Sequence, residues 1–278
     1  MVLAWAIRAI FVDRSISFPL TPTRSFSKPR HVRSVSLPCT TSSHPLLANL
    51  RAHIAALRAW THTDSSSSLH AGLAAIDALH AALADVLLLP ESRRATTYAG
   101  DRLLDAFLHL ADAHQRFQEC LLSLRHATAE SRAALRRGDT GRLASASRSQ
   151  RRAEKDLARL TASVAAVSAK CSRLNLLAGA EEAGALVEAA AVSAAASAAV
   201  FSSAASMSSR ASTCKTIAMF IPAFTIRKAT APETAEAAAD RLHALERCFD
   251  ECDGVCDMVF RSVVQTRVSL LNIMTPTI

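Results

Sequence analysis

Between Leu103 and Leu135 the side chains fit for burial recur in alternating steps of four and three: Leu103, Phe107, Leu110, His114, Phe117, Leu121, Leu124, Thr128, Ser131 and Leu135. A repeat averaging 3.5 residues keeps one stripe on one side of an α-helix and cannot serve a strand, whose faces alternate every second residue. The rhythm returns at Leu143, Ala146, Gln150, Ala153, Leu157, Leu160, Val164, Val167, Cys171 and Leu174. It returns again at Leu242, Leu245, Phe249, Cys252, Cys256, Val259, Val263, Thr266, Leu270 and Ile273. The spacing predicts a third helix through this first repeat, a fourth over about 142–178 and a last one over about 233–274. Each strict repeat implies a narrow seam against long partners.

Arg136-Arg137-Gly138-Asp139-Thr140-Gly141 separates the first two repeats. The arginines oppose the C-terminal dipole and Gly138 suits a left-handed cap, so a tight antiparallel return is expected. The result is a helical hairpin of roughly 50 Å at 1.5 Å per residue.

Shorter apolar patterns precede it. A helix over about 46–60 places Leu50, Ile54, Leu57 and Trp60 on one stripe. The serines at 65–68 are expected to end it and to cap the next, which spans about 69–89, buries Leu69, Leu73, Ile76, Leu79, Leu83 and Leu87, and stops at Pro90. Glu181 to Ser209 is an alanine and serine tract with a lone interior charge, Glu188. Alanine is only marginally hydrophobic and serine is not, so a closely packed bundle helix is expected there in place of a membrane span.

Composition agrees with this reading. The 278 residues include 56 alanines against 7 glycines, 2 tryptophans and 1 tyrosine, a mix that favours helix over strand. A Rossmann domain, a TIM barrel or a β-sandwich is therefore not expected. The fold class is all-α: an elongated antiparallel helical bundle over 46–278, with long coiled-coil-like helices and a disordered N-terminal tail over 1–45. Seven cysteines without a framework spacing, and no typical secretory signal, point to a reducing compartment.

The tail carries five of the nine prolines, many serines, and six cations against Asp13, a net +5 that leaves only +3 on the body. Proline and serine at that density cannot sustain a helix. Met1-Val2-Leu3-Ala4-Trp5-Ala6-Ile7-Arg8-Ala9-Ile10-Phe11, followed by an arginine-rich, acid-poor stretch, is similar to an organellar transit peptide. Two localisations stay open: cytoplasmic, or chloroplast or mitochondrion if residues 1–30 are such a peptide. Nucleic acid is not an expected partner, because a groove reader needs a basic stripe on an ordered element, ideally interleaved with aromatics. Peripheral membrane contact stays open through the tail and residues 217–228, where Ile217-Ala218-Met219-Phe220-Ile221 lies between Lys215 and the Arg227-Lys228 pair.

Sequence motifs that carry chemistry are mostly absent. There is no Gly-rich phosphate loop, G-x-S-x-G, H-E-x-x-H, C-x-x-C or Glu-x-x-His, so no enzyme activity, cofactor or metal is expected. Asp77-x-x-His80 reads as a solvated polar face. Cys248, Cys252 and Cys256 form a four-residue ladder whose thiols, about 6 Å apart, cannot all reach one ion, so core packing is expected. His114 and Gln150 read as hydrogen-bonded core or register positions. Such positions, with Thr266, can be satisfied within one chain or between two, which leaves a homo-oligomer open.

The sharpest local signal is Arg33-Ser34-Val35-Ser36-Leu37-Pro38. It matches the R-S-x-pS-x-P pattern read by 14-3-3 proteins, with Arg33 three residues before Ser36 as a basophilic kinase requires. Arg33, Ser34, Ser36 and Pro38 are the candidate regulatory residues.

His31-Val32-Arg33-Ser34-Val35-Ser36-Leu37-Pro38, then Ser43-His44-Pro45, Leu87-Leu88-Leu89-Pro90, Ala134-Leu135-Arg136-Arg137-Gly138 and Thr266-Arg267-Val268-Ser269-Leu270-Leu271-Asn272-Ile273, together resemble a plant-specific family. It is catalogued as domain of unknown function 241 and grouped with the BYPASS-like proteins. The resemblance covers about residue 31 to the C-terminus. It implies a land-plant protein without known catalysis, associated by kinship with root and shoot development. The first 30 residues, Glu91-Ser92-Arg93-Arg94-Ala95 and the alanine-rich tract depart from the family pattern. The expected function is that of a non-enzymatic adaptor or regulator that binds protein partners, 14-3-3 among them through phosphorylated Ser36. The alternative is an organelle-imported or membrane-peripheral structural protein.

Overall fold

The computed structural model describes residues 44–62, 68–175, 181–212 and 235–275. The tail, with Arg33, Ser34, Ser36 and Pro38, and the stretch 217–228 lie outside the described residues. Six helices make up the described part: α1 (Pro45–His62), α2 (Leu69–Leu87), α3 (Pro90–Arg137), α4 (Thr140–Asn175), α5 (Glu181–Ser212) and α6 (Ala235–Met274). No strand occurs among the described residues, so the all-α class holds.

The helix boundaries follow local chemistry. Leu89 precedes Pro90, which pushes its backbone out of the helical region, and it adopts φ −71°, ψ 139°. α2 therefore stops at Leu87, two residues before the expected end. Pro90 does more than stop a helix: it opens α3 at a first-turn position, where its missing N–H has no intrahelical partner to lose. The Ser92 hydroxyl donates to the Val86 carbonyl at 2.6 Å and so satisfies the frayed end of α2. At the start of α2 the serine expectation fails in part. Ser68 occupies the cap position, but its side chain makes no capping hydrogen bond and only its carbonyl engages the helix, accepting from the Gly72 N–H.

The hairpin turn is as the sequence predicts. Gly138 sits at φ 67°, ψ 20°, its N–H donates to Leu135 O at 3.3 Å, and the Asp139 N–H donates to Ala134 O at 3.0 Å, the paired bonds of a Schellman cap. Asp139 then turns from end to beginning: its Oδ1 accepts from the Arg142 N–H at 3.0 Å and caps α4. Gly138→Ala is expected to lower stability by about 1 kcal/mol in urea unfolding. The cost is backbone strain alone, since a Cβ there would meet nothing within 4 Å. No measurable loss would mean that the turn relaxes out of the left-handed region.

The seams are buried along nearly their whole length, with Leu135, Leu174 and Ile273 half-buried where the helices end. Trp60 likewise is only partly covered. The seam of α3 is wider than expected. Ala99, Ala106, Ala111, Ala113, Ala127 and Ala134 are also buried, because α3 packs against α4, α5 and α6 at once. A strict a/d stripe serves one partner, whereas three partners cover flanking positions too.

α5 is the centre of the arrangement, in contact with all five other described helices. Ala189, Ala190, Ala194, Ala196, Val200, Phe201 and Ala204 are wholly inaccessible. α2 and α5 are long and apolar enough to cross a membrane, but 72% of the apolar window of α5 is buried inside this bundle. Glu188 pairs with Arg58 of α1 at 2.6 Å, which accounts for the lone charge.

Candidate functional site

A helix buried on every side must satisfy its polar side chains internally, and the serines of α5 do so against the polar seam positions of its neighbours. His80 of α2 lies 2.9 Å from Ser193 Oγ through Nε2 and 3.1 Å from Thr266 Oγ1 of α6 through Nδ1. His114 of α3 lies 2.9 Å from Ser197 Oγ through Nε2. Gln150 of α4 reaches Ser208 Oγ at 2.8 Å and Ser212 Oγ at 2.5 Å through its amide nitrogen. All three sets close within one chain.

The hydroxyl protons fix the tautomers. Thr266 donates its only proton to Ser262 O at 2.8 Å, so its oxygen accepts from the His80 Nδ1–H. His80 Nε2 is then the unprotonated nitrogen and accepts from Ser193. Ser197 donates to Ser193 O at 2.9 Å, so it accepts from the His114 Nε2–H. His114 Nδ1 is left as a buried acceptor with no hydrogen-bond partner among the described residues. Phe107 meets His80 edge-on at 5.7 Å, Phe201 meets His114 edge-on at 5.3 Å, and Phe117 stacks on Phe201 at 4.5 Å.

Both imidazoles are neutral. Desolvation pulls His80 down to about 3, with the nearby His114 adding to the shift, and burial alone pulls His114 down to about 4. The Ser193–His80 contact has the distance of a nucleophile–base pair. Three features set it apart from one: Ser193 is wholly inaccessible, a base so weak takes no proton near neutrality, and His80 Nδ1 faces a hydroxyl where a triad has a carboxylate. The network is placed to fix helix register.

This overturns the reading of Asp77-x-x-His80 as a solvated face, since His80 is 1% exposed. The signal was present in the sequence. Leu73, Ile76, His80, Leu83 and Leu87 step by 3, 4, 3 and 4 residues, which puts His80 on the seam of α2. His114, Gln150 and Thr266 are core register positions as expected.

In the cysteine ladder, Cys252 and Cys256 are buried and Cys248 is half-buried. The hydrogen bond from Cys252 holds the Cys248 thiol down at about 7 and pushes Cys252 up, while burial pushes Cys256 to about 12. No group of three potential metal ligands converges among the described residues.

Clefts open on the surface among the described residues. One, of about 370 Å³, lies between α3 and α4 over Val167, Cys171 and Leu174, with Arg102, Lys170, Arg173 and Asp105 on its rim. Another, of about 330 Å³, lies between α3 and α6 beside Gly100 and Met274. Neither is lined by a member of the histidine network. Leu122 of α3 and Met258 of α6 leave apolar side chains at 64% and 50% exposure.

A sequence profile of the family described as Protein BPS1 matches residues 72–273. No curated protein and no solved structure matches the chain.

Proposed function

Since the chain belongs to the BPS1 family, the BYPASS-like proteins of domain of unknown function 241, we propose that it is a non-enzymatic adaptor that binds other proteins from the surface of a closed bundle. The observation that carries this reading is the internal closure of the polar seam positions. His80, Gln150 and Thr266 meet partners inside the chain, and His114 is held there through its Nε2. Polar groups engaged in this way hold the helices and are not presented to a ligand, so recognition falls to the surface and to the tail.

In the tail, Arg33, Ser34, Ser36 and Pro38 supply a docking motif. Phosphate on Ser36 adds close to two negative charges beside Arg33, and Pro38 turns the chain out of a binding groove. The compartment that gives kinase and 14-3-3 access to this motif is the cytoplasm, and a regulatory role in root and shoot development is consistent with the family. The test is binding of kinase-treated full-length protein to 14-3-3. Wild type is expected to bind in a phosphatase-sensitive manner and Ser36→Ala to lose binding at least tenfold. Undiminished, phosphatase-sensitive binding by Ser36→Ala would sink the docking role of Ser36.

A further inference from the structure

α4 carries eight basic residues and only two acidic ones, Glu154 and Asp156. At 100° per residue, Arg148, Arg152, Lys155 and Arg159 fall within about 60° of arc directly opposite the Gln150–Leu157 seam, with Arg151 at its flank. All five are exposed. α4 packs on α3 and α5, so this face looks away from both.

Only one of the two acids engages the stripe, and it covers a single cation. Glu154 is turned inward, where its Oε1 accepts from the Ser208 hydroxyl at 2.7 Å. Asp156 is engaged with Arg159 at 2.9 Å. Arg148, Arg151, Arg152 and Lys155 have no ion-pair partner among the described residues. Outside the described residues the chain holds only three acidic side chains, Asp13, Asp64 and Glu233. The exposed acids Asp101, Asp105, Asp112 and Glu119 of α3 make a second copy the competing occupant.

We propose that the outer face of α4 docks on an anionic phospholipid bilayer through Arg148, Arg151, Arg152, Lys155 and Arg159. A ridge of cations along one helix face suits a plane whose charged lipids diffuse to meet it, and four to eight such residues is the range that holds proteins to acidic membranes. The ridge offers no groove to track a nucleic-acid backbone. The exposed residues among and flanking the cations, Ser145, Ser149, Ala158 and Ala162, neither stack on bases nor read their edges.

The test is flotation of the full-length protein with phosphatidylcholine vesicles, with and without phosphatidylserine, across a salt series. Wild type is expected to float only with the anionic vesicles and to be released by salt. Arg148→Glu/Arg152→Glu/Lys155→Glu should bind at least about a hundredfold more weakly. The matching Arg148→Lys/Arg152→Lys variant should bind as wild type, and circular dichroism should show all of them equally helical. Equal flotation of wild type and the reversed variant would overturn the proposal and move the contact to the basic tail. Binding of duplex DNA or RNA without flotation would overturn it in favour of a nucleic-acid surface. Self-association of the wild type that the charge-reversed variant loses, without flotation, would overturn a membrane partner in favour of a second copy.

Discussion

Urea unfolding of the full chain is expected to show stability falling steeply as the pH drops below 6.5, at a slope approaching about 2.7 kcal/mol per pH unit. The cause is the pair of neutral imidazoles in the core. His80 and His114 are each 1% exposed, with proton affinities pulled from 6.5 down to about 3 and about 4 in the folded protein. In the unfolded chain both return to the ordinary value and bind protons first. Stability is therefore fully present above pH 6.5 and is lost as the pH falls. The loss levels off only where the folded form itself takes up protons, near 4 for His114 and near 3 for His80. The diagnostic window is from 6.5 to about 5, above the main titration of carboxylates. A His80→Gln/His114→Gln variant should start less stable at neutral pH and show a flatter profile through that window. A wild-type profile flat between 6.5 and about 5 would contradict the burial of both rings.

Phe201→Ala is expected to cost about 3–5 kcal/mol, the largest effect of any single truncation here. Phe201 is wholly inaccessible on α5, stacks on Phe117 at 4.5 Å and lies edge-on to His114 at 5.3 Å. Its removal opens a cavity where α3 and α5 meet. α5 is rich in buried alanines, whose single methyl groups have no further side-chain atoms to move inward. Truncating Phe117 as well should cost less than the sum of the two single changes, because the stack is lost only once. Urea titration reads all three variants. A loss below about 1 kcal/mol for Phe201→Ala would mean that α5 is not the packed centre of the bundle.

The seams of α3, α4 and α6 were legible because a 3.5-residue repeat reports directly which face of a helix is covered. The hairpin turn was legible because Gly138 and Asp139 each have a narrow conformational use. His80 was misread although it sits in a 3-4-3-4 pattern, since Leu79 beside it drew the stripe one residue away. The cationic face of α4 was hidden by summation. A net +3 over the whole body says nothing of eight cations on one helix, and that Glu154 turns inward becomes visible only once Ser208 is placed beside it.

By itself, then, the sequence determined the helical class, the long hairpin and the buried face of each patterned helix, because local periodicity and turn chemistry are properties of contiguous residues. The tertiary structure decided that the alanine and serine helix stands in the middle, and that its serines meet His80, His114 and Gln150 in the same chain. Periodicity shows that a face is covered and not by what. A helix of small side chains apolar on every side has no preferred face at all, so its place is set only by the neighbours that close around it.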